Sequence, residues 1–244
     1  HNINIMEDLE LGIGDIVQVY KANMIIPQLA GNLTRSGNIE IPSVCPVCGG
    51  ATEIRDEEGT KTLRCPNPGC LAKHVKKFSH FVSRDALNIE GLSESGLLKL
   101  IGIGALKEFA DLFKLARFED DIVSMEGFGK KSFDNLIASA ERASHTTPAR
   151  LLYGLGVPGI GVQNSNLIAR ACRNKWEDIQ GLDEEALTDI DGVGEVLARD
   201  YTAFFKDPSN EEQVAKLLEV LTLDESYEAA GSRLEGKTFV ISGT

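Results

Sequence analysis

The first 44 residues alternate apolar and polar positions instead of repeating every three or four. "DIVQVYKA" (15–22) alternates, "MIIPQLAGNL" (24–33) follows, and "GNIEIPS" (37–43) closes the series. A period of two predicts strands. The set suits the last part of a small β-barrel of the oligonucleotide-binding type. Further along the period changes. In "EGFGKKSFDNLI", Glu126 to Ile137, two glycines stand two residues apart and two lysines head an apolar-periodic run. That run predicts a helix, and glycine pairs are costly inside helices, so the pair marks a turn before it. Residues 211–221 carry another helical pattern. A polar linker then precedes "LEGKTFVISGT", whose apolar run predicts a strand.

The glycine turn recurs. Aligned on its first glycine, the chain reads "IEGLSESGL" at Gly91, "MEGFGKKSF" at Gly127, "VPGIGVQNS" at Gly159 and "IDGVGEVLA" at Gly192. The separations are 36, 32 and 33 residues. Self-similarity at that period signals repeated supersecondary units, and apolar-x-Gly-apolar-Gly ahead of a helix predicts four helix-hairpin-helix units. A tight reversal between helices needs positive φ, which glycine adopts at little cost. Bare glycines also let an anion approach the backbone, where the second helix points its unpaired N–H groups and dipole. Phosphate of nucleic acid suits that position; a plain interhelical turn is the simpler alternative. "IGIG" at Ile101 to Gly104 is off register and reads as a helix end.

The four copies differ. The second, with Gly127 and Gly129, adds Lys130 and Lys131, and the expectation is that it contributes most. The third, Gly159 and Gly161, is neutral, with Gln163 and Asn164 beside it. The fourth, Gly192 and Gly194, is flanked by Asp191 and Glu195. In the first, Ser93 replaces the second glycine, which predicts a mainly structural role. Lys21, in "DIVQVYKA", joins the glycines and the lysine pair as a DNA-contacting candidate.

Four of five cysteines lie within 26 residues: Cys45 and Cys48 in "CPVCGG", Cys65 and Cys70 in "RCPNPGC". Two such knuckles supply four thiolates for a tetrahedral zinc ion, with a hairpin around Gly59 as the body of a zinc ribbon. Four protein ligands close the shell, so the metal is expected to be structural, one per chain. Two disulfides are the alternative, which a chain of the reducing cytoplasm disfavours. His74 follows Cys70 by four residues and reads as a solvated neighbour. Cys172 falls on an apolar helix face and reads as core.

Composition then constrains the partners. The 244 residues are 42% hydrophobic, enough for one to three domains. A net charge of −12 argues at first against nucleic acid. The acidity is regional: Lys175 to Glu235 holds 5 Lys/Arg against 17 Asp/Glu, and the rest balances at 20 against 20. Cys45 to Arg84 is basic, at 7 against 4. No apolar run reaches membrane length and no signal peptide is apparent, so a soluble, cytoplasmic monomer is expected.

In this order the parts resemble bacterial NAD-dependent DNA ligase, from its oligonucleotide-binding barrel to the first strand of its terminal BRCT domain. The resembling residues are the initial "HN", "GIGDIVQVYKANMIIPQ", "CPVCGG", "HFVSRDALNIEGL", "LLYGLGVPGIG" and "EGKTFVISGT". The resemblance implies a multidomain α+β chain: a partial OB-type barrel at 1–44, a four-cysteine zinc finger at 45–80, helix-hairpin-helix units at 81–222, a linker at 223–235 and a truncated BRCT strand at 236–244. It implies DNA replication and repair, nicked double-stranded DNA as partner, association with the nucleoid through that DNA, and sealing through AMP taken from NAD. The family's adenylated lysine lies in Lys-x-Asp-Gly, and no lysine here has that context. NAD and Mg2+ would then act outside this stretch, which has no catalytic residue of its own and stands as the clamp around DNA. The chain departs from the family at Asn23-Met24, where Gly-Asp often precedes Val-Ile-Pro, so no role is carried over for that carboxylate. An excision-repair nuclease and a protein-binding adaptor are the competing readings; the first predicts only two hairpin units and no four-cysteine ribbon.

Overall fold

Asn2 opens a helix where alternation predicts only strands. Its side chain accepts from the Asn4 amide at 2.8 Å and caps α1 (Ile3–Asp8), which buries Ile3. A short helix with a single buried residue shows no 3.6-residue stripe, so its cap is its only clear sequence mark. The computed structural model describes residues 2–23, 25–57 and 59–227. The chain divides into two units, His1–His74 and Val75–Thr244. Among the described residues the architecture is mixed, helices with three two-stranded sheets.

In the first unit, β1 (Val17–Ala22) and β2 (Ile26–Asn32) pair antiparallel, Val17 opposite Asn32 and Ala22 opposite Ile26. The register slips between Gln18 and Val19, a bulge that bends the pair. "GNIEIPS" forms no strand, contrary to the alternation. Gly37 turns at φ +60°, Pro42 has no amide to give, and the Asn38 side chain is spent on the Ile13 amide at 2.7 Å. Asn32 gathers the loop ends, donating to the Leu9 and Glu10 carbonyls and to Asp15 at 2.6 Å. A second hairpin, β3 (Glu53–Glu57) with β4 (Thr60–Arg64), reverses at Gly59, φ +80°. α1 holds its tip: Asn4 donates to the Gly59 carbonyl and accepts from the Lys61 amide, and Glu7 pairs with the Lys61 ammonium at 2.9 Å.

The second unit is helical around one continuous core. It takes in most of α2 (Leu71–Phe81), which buries Val75, Phe78 and Phe81. Next come α3 (Glu94–Gly102), a 3-10 helix (Phe109–Phe118), α4 (Glu119–Ser124) and α5 (Lys130–Ala143). Phe109 stacks on Phe81 with centroids 4.2 Å apart and meets Phe78 edge-on at 5.3 Å. The chain continues through β5 (His145–Thr146), α6 (Pro148–Gly154), α7 (Val162–Ala171), α8 (Trp176–Gln180), α9 (Glu184–Thr188), α10 (Glu195–Lys206) and α11 (Pro208–Leu218). At Gly154 a β-carbon would stand 2.8 Å from Leu87 Cδ2 and 3.4 Å from the Ala86 β-carbon, so a larger residue would force the Leu87 side chain to shift. Buried Tyr201 donates its hydroxyl to the Ile179 carbonyl at 2.6 Å, which ties α10 to α8.

A short strand, β6 (Thr222–Leu223), pairs parallel with β5. Glu225 then accepts from the Trp176 amide at 2.9 Å and from the Lys175 ammonium at 2.8 Å. Among the described residues no helix is long and apolar enough to cross a membrane. The strand expected at 236–244, and most of the linker at 223–235, lie outside the described residues.

Candidate nucleic-acid interface and metal centre

All four first glycines adopt the positive φ the turn requires: Gly91 +90°, Gly127 +85°, Gly159 +75° and Gly192 +92°. Three of the turns are closed by a bond from residue i+3 to residue i. Phe128 donates to Met125, Ile160 to Val157 and Val193 to Ile190, each at 3.0 Å. The glycine is then the third residue of four, where a type II turn needs positive φ. The apolar neighbours anchor each turn inward; Val157, Ile160 and Val193 are buried, and Phe128 packs against the core.

The second glycines play another part. Gly129, Gly161 and Gly194 are extended N-caps with no side-chain cap, heading helices of 14, 10 and 12 residues. A β-carbon on any of them would meet nothing within 4 Å. The first bond of α5 runs from Phe133 to Gly129, so among the described residues the amides of Lys130, Lys131 and Ser132 have no partner. α7 and α10 begin in the same way, from Ser165 to Gly161 and from Ala198 to Gly194. Each is an uncapped helix start with open donors.

The first turn is built differently. Ser93 caps α3, its hydroxyl accepting from the Gly96 amide at 3.1 Å, so one open donor is already taken. No i+3 bond closes the turn at Gly91 among the described residues. The Glu90 amide donates instead to buried Ser139 on α5 at 2.8 Å.

Charge around the turns is arranged less simply than the sequence implies. Lys130 pairs with Glu119 at 2.6 Å and with Asp134 at 2.9 Å, and the two carboxylates, Glu119 foremost, push its pKa up to about 12. Lys131 is exposed and makes no ion pair among the described residues. Asn164 donates to the Gly159 carbonyl at 3.3 Å, whereas Gln163 lines a cleft of about 430 Å³ with Asn166, Leu167, Arg170, Asn174 and Tyr227. Asp191 and Glu195 flank Gly192 and Gly194 in sequence. Lys21 is exposed on β1 opposite Pro27, in the other unit. No local pattern in the sequence marks Lys99 or Arg170. Lys99 sits 28 positions before Gly127, and only the packing of helices brings such pairs together.

The four cysteines predicted as ligands do converge. The sulfurs of Cys45, Cys48, Cys65 and Cys70 all lie within 4.8 Å of one another, Cys48 to Cys65 at 3.5 Å and Cys45 to Cys70 at 4.0 Å. Zinc–sulfur bonds of about 2.3 Å in a tetrahedron need sulfurs about 3.8 Å apart, so the donor set fits such an ion. The first knuckle closes on itself, the Cys45 amide donating to the Gly50 carbonyl at 2.8 Å and the Gly49 amide, at φ +70°, to the Cys45 carbonyl at 2.9 Å. The Gly50 amide, then the Asn67 side chain and the Cys65 thiol, lower Cys48 to about 6. Burial, then the Cys48 thiol, raises Cys65. The protein groups thus favour the thiolate at Cys48 and the thiol at Cys65. Cys172 is buried in the core of the other unit.

A family model described as a helix-hairpin-helix motif matches residues 150–214, the stretch holding the turns at Gly159 and Gly192. A DNA ligase of Ruminiclostridium cellulolyticum is 49% identical over 245 residues, covering 100% of this chain and 37% of that protein. A DNA ligase of Lachnoclostridium phytofermentans is likewise 49% identical, with 38% of its length covered. The likeness to bacterial DNA ligases covers the whole chain. It extends to more distant members, such as the DNA ligase of Thermosipho africanus at 35% identity over 254 residues. The chain spans little more than a third of the length of these ligases.

Proposed function

We propose that this chain is a DNA-binding region of an NAD-dependent DNA ligase, part of a clamp that holds nicked duplex by its backbone phosphates. The observation that carries the reading is the threefold repetition of one device. A bonded turn with positive φ at its glycine leads into a bare glycine cap and a helix whose first amides are unpartnered. Donors fixed in this way attract phosphate oxygens without requiring basic side chains, so an acidic chain can still hold DNA. The likeness to DNA ligases across the whole chain supports the same reading. All four turns then count as helix-hairpin-helix units, the first mainly structural. Gly127, Gly129, Lys131, Gly159, Gly161, Gly192, Gly194 and Lys21 are the proposed contacts. Lys130 contributes least among the lysines because two carboxylates hold it.

One zinc ion held by Cys45, Cys48, Cys65 and Cys70 would supply folding free energy to the β3–β4 hairpin and no chemistry. The chain itself is proposed to be inactive in adenylation, because none of its lysines lies in Lys-x-Asp-Gly. Contacts to phosphate carry no base information, so binding should be independent of sequence and weaken with salt.

Gel shift on a nicked duplex, beside incubation with NAD labelled in its AMP moiety, tests the reading. Retarded DNA with no label on the chain is expected. Absence of any complex at low salt overturns the DNA-binding reading, and covalent AMP on the chain overturns the assignment of adenylation elsewhere.

A further inference from the structure

The helix of the first turn reaches the second. Lys99 lies on α3, six residues after the Ser93 cap, and its ammonium donates to the Glu126 carbonyl inside the second turn. It stands 3.9 Å from where a β-carbon of Gly127 would be. The other two turns repeat this packing with a different residue. Leu167, six residues after the Gly161 cap, stands 3.7 Å from the same position on Gly192. A leucine there completes an apolar contact. A lysine brings a charge instead, at the edge of an open helix start.

That charge is not neutralised. Lys99 makes no ion pair among the described residues, whereas Lys130 is held by Glu119 and Asp134. An ammonium has three donors, and the Glu126 carbonyl uses one. The others remain for an oxygen over the turn. Resting on the phosphate reading above, we propose that Lys99, with Lys131, supplies the phosphate-facing charge of the second turn, and that Lys130 does not. The helix of the first turn then serves DNA binding through the lysine it lends to the second turn, although its own start is capped by Ser93.

The test is the salt dependence of affinity for one nicked duplex, measured on the full 244-residue chain. Each phosphate contact adds about one to the slope of log affinity against log salt. Lys99→Gln keeps a donor for Glu126 and removes the charge, so it separates attraction of phosphate from anchoring of the turn. The expected result is a slope smaller by about one for Lys99→Gln, restored in Lys99→Arg and unchanged in Lys130→Gln. Thermal unfolding of each variant confirms that the slopes compare folded proteins. An unchanged slope in folded Lys99→Gln overturns the proposal. A slope lowered by about one in Lys130→Gln overturns it as well, whatever Lys99→Gln does. No DNA binding by the unsubstituted chain would instead bring down the phosphate reading, and this assignment with it.

Discussion

Leu167 Cδ1 stands 3.7 Å from the place a β-carbon would occupy on Gly192, and Leu197 stands equally close to that place on Gly159. The contact is reciprocal: a leucine of each turn's helix covers the glycine of the other turn. The two glycines are therefore fixed twice over, by their positive φ and by the side chain packed on them.

The first prediction sets the two glycines of one turn apart. Gly192, at φ +92°, is in a region that side chains of L-residues avoid, so Gly192→Ser should cost about 1–2 kcal/mol of stability. Gly194 is extended at φ −91° with open space around it, and serine is favoured at an N-cap. Gly194→Ser should be neutral or stabilising by a few tenths of a kcal/mol. Urea denaturation of both variants checks this; equal losses would mean the backbone conformation at Gly192 carries no special cost.

The second prediction concerns the cysteines. Protein purified without chelator should carry one zinc per chain by metal analysis, and Cys48→Ser should lose it with the β3–β4 hairpin. Metal binding must displace the thiol protons that remain, notably on Cys65, whose pKa is raised. Zinc affinity should therefore fall as pH falls, and binding should release protons. Competition with a chromogenic chelator at two pH values reads both. A metal-free protein, or an affinity indifferent to pH, would refute the assignment.

What was legible in the sequence was what local chemistry dictates. The turn glycines announce a positive φ, and each first glycine has it. Two cysteine knuckles announce convergence, and their sulfurs meet. Features set by distant partners were not legible. "GNIEIPS" alternates like a strand yet pairs with no strand among the described residues, and the residues of α1 are too few to show a period. Lys130 and Lys131 look alike in sequence, yet Lys130 alone is paired with Glu119, eleven positions earlier, which only the fold brings beside it. Ser93 read as a lost glycine and is instead a working cap.

The third prediction tests the strap after β6. The Lys175 ammonium, then the Trp176 amide, hold the Glu225 carboxyl below its usual range. A depressed carboxylate contributes stability above the unfolded value near 4, and that contribution is lost as pH falls through the folded one. Glu225→Gln should cost about 1 kcal/mol at pH 7, since one bond is charge-assisted but partly exposed. The difference from the unsubstituted chain should shrink as the medium is taken well below pH ~4. Trp176 is the single tryptophan and is buried at this contact, so its fluorescence reports the unfolding directly. A gap that stays constant into acid would show that the Glu225 charge plays no part.

The last prediction joins stability to binding at one atom. Ser93 spends its hydroxyl on the Gly96 amide, and Gly129 leaves the equivalent amide, that of Ser132, open. The backbone at Gly129, φ −141° and ψ 170°, is extended and suits any residue, and a side chain there meets nothing within 4 Å. Gly129→Ser should therefore fold, cap α5 as Ser93 caps α3, and raise stability by a few tenths of a kcal/mol. The same hydroxyl would occupy the donor offered to phosphate and put a side chain in its path. Affinity for nicked duplex should fall several-fold while stability holds or rises, a divergence that a merely structural turn could not give. Denaturation midpoints and gel shifts on the same preparations measure both. If Gly129→Ser gains stability and binds as before, the open amides of α5 do not hold DNA, and the glycine pair of "EGFGKK" serves only to reverse the chain.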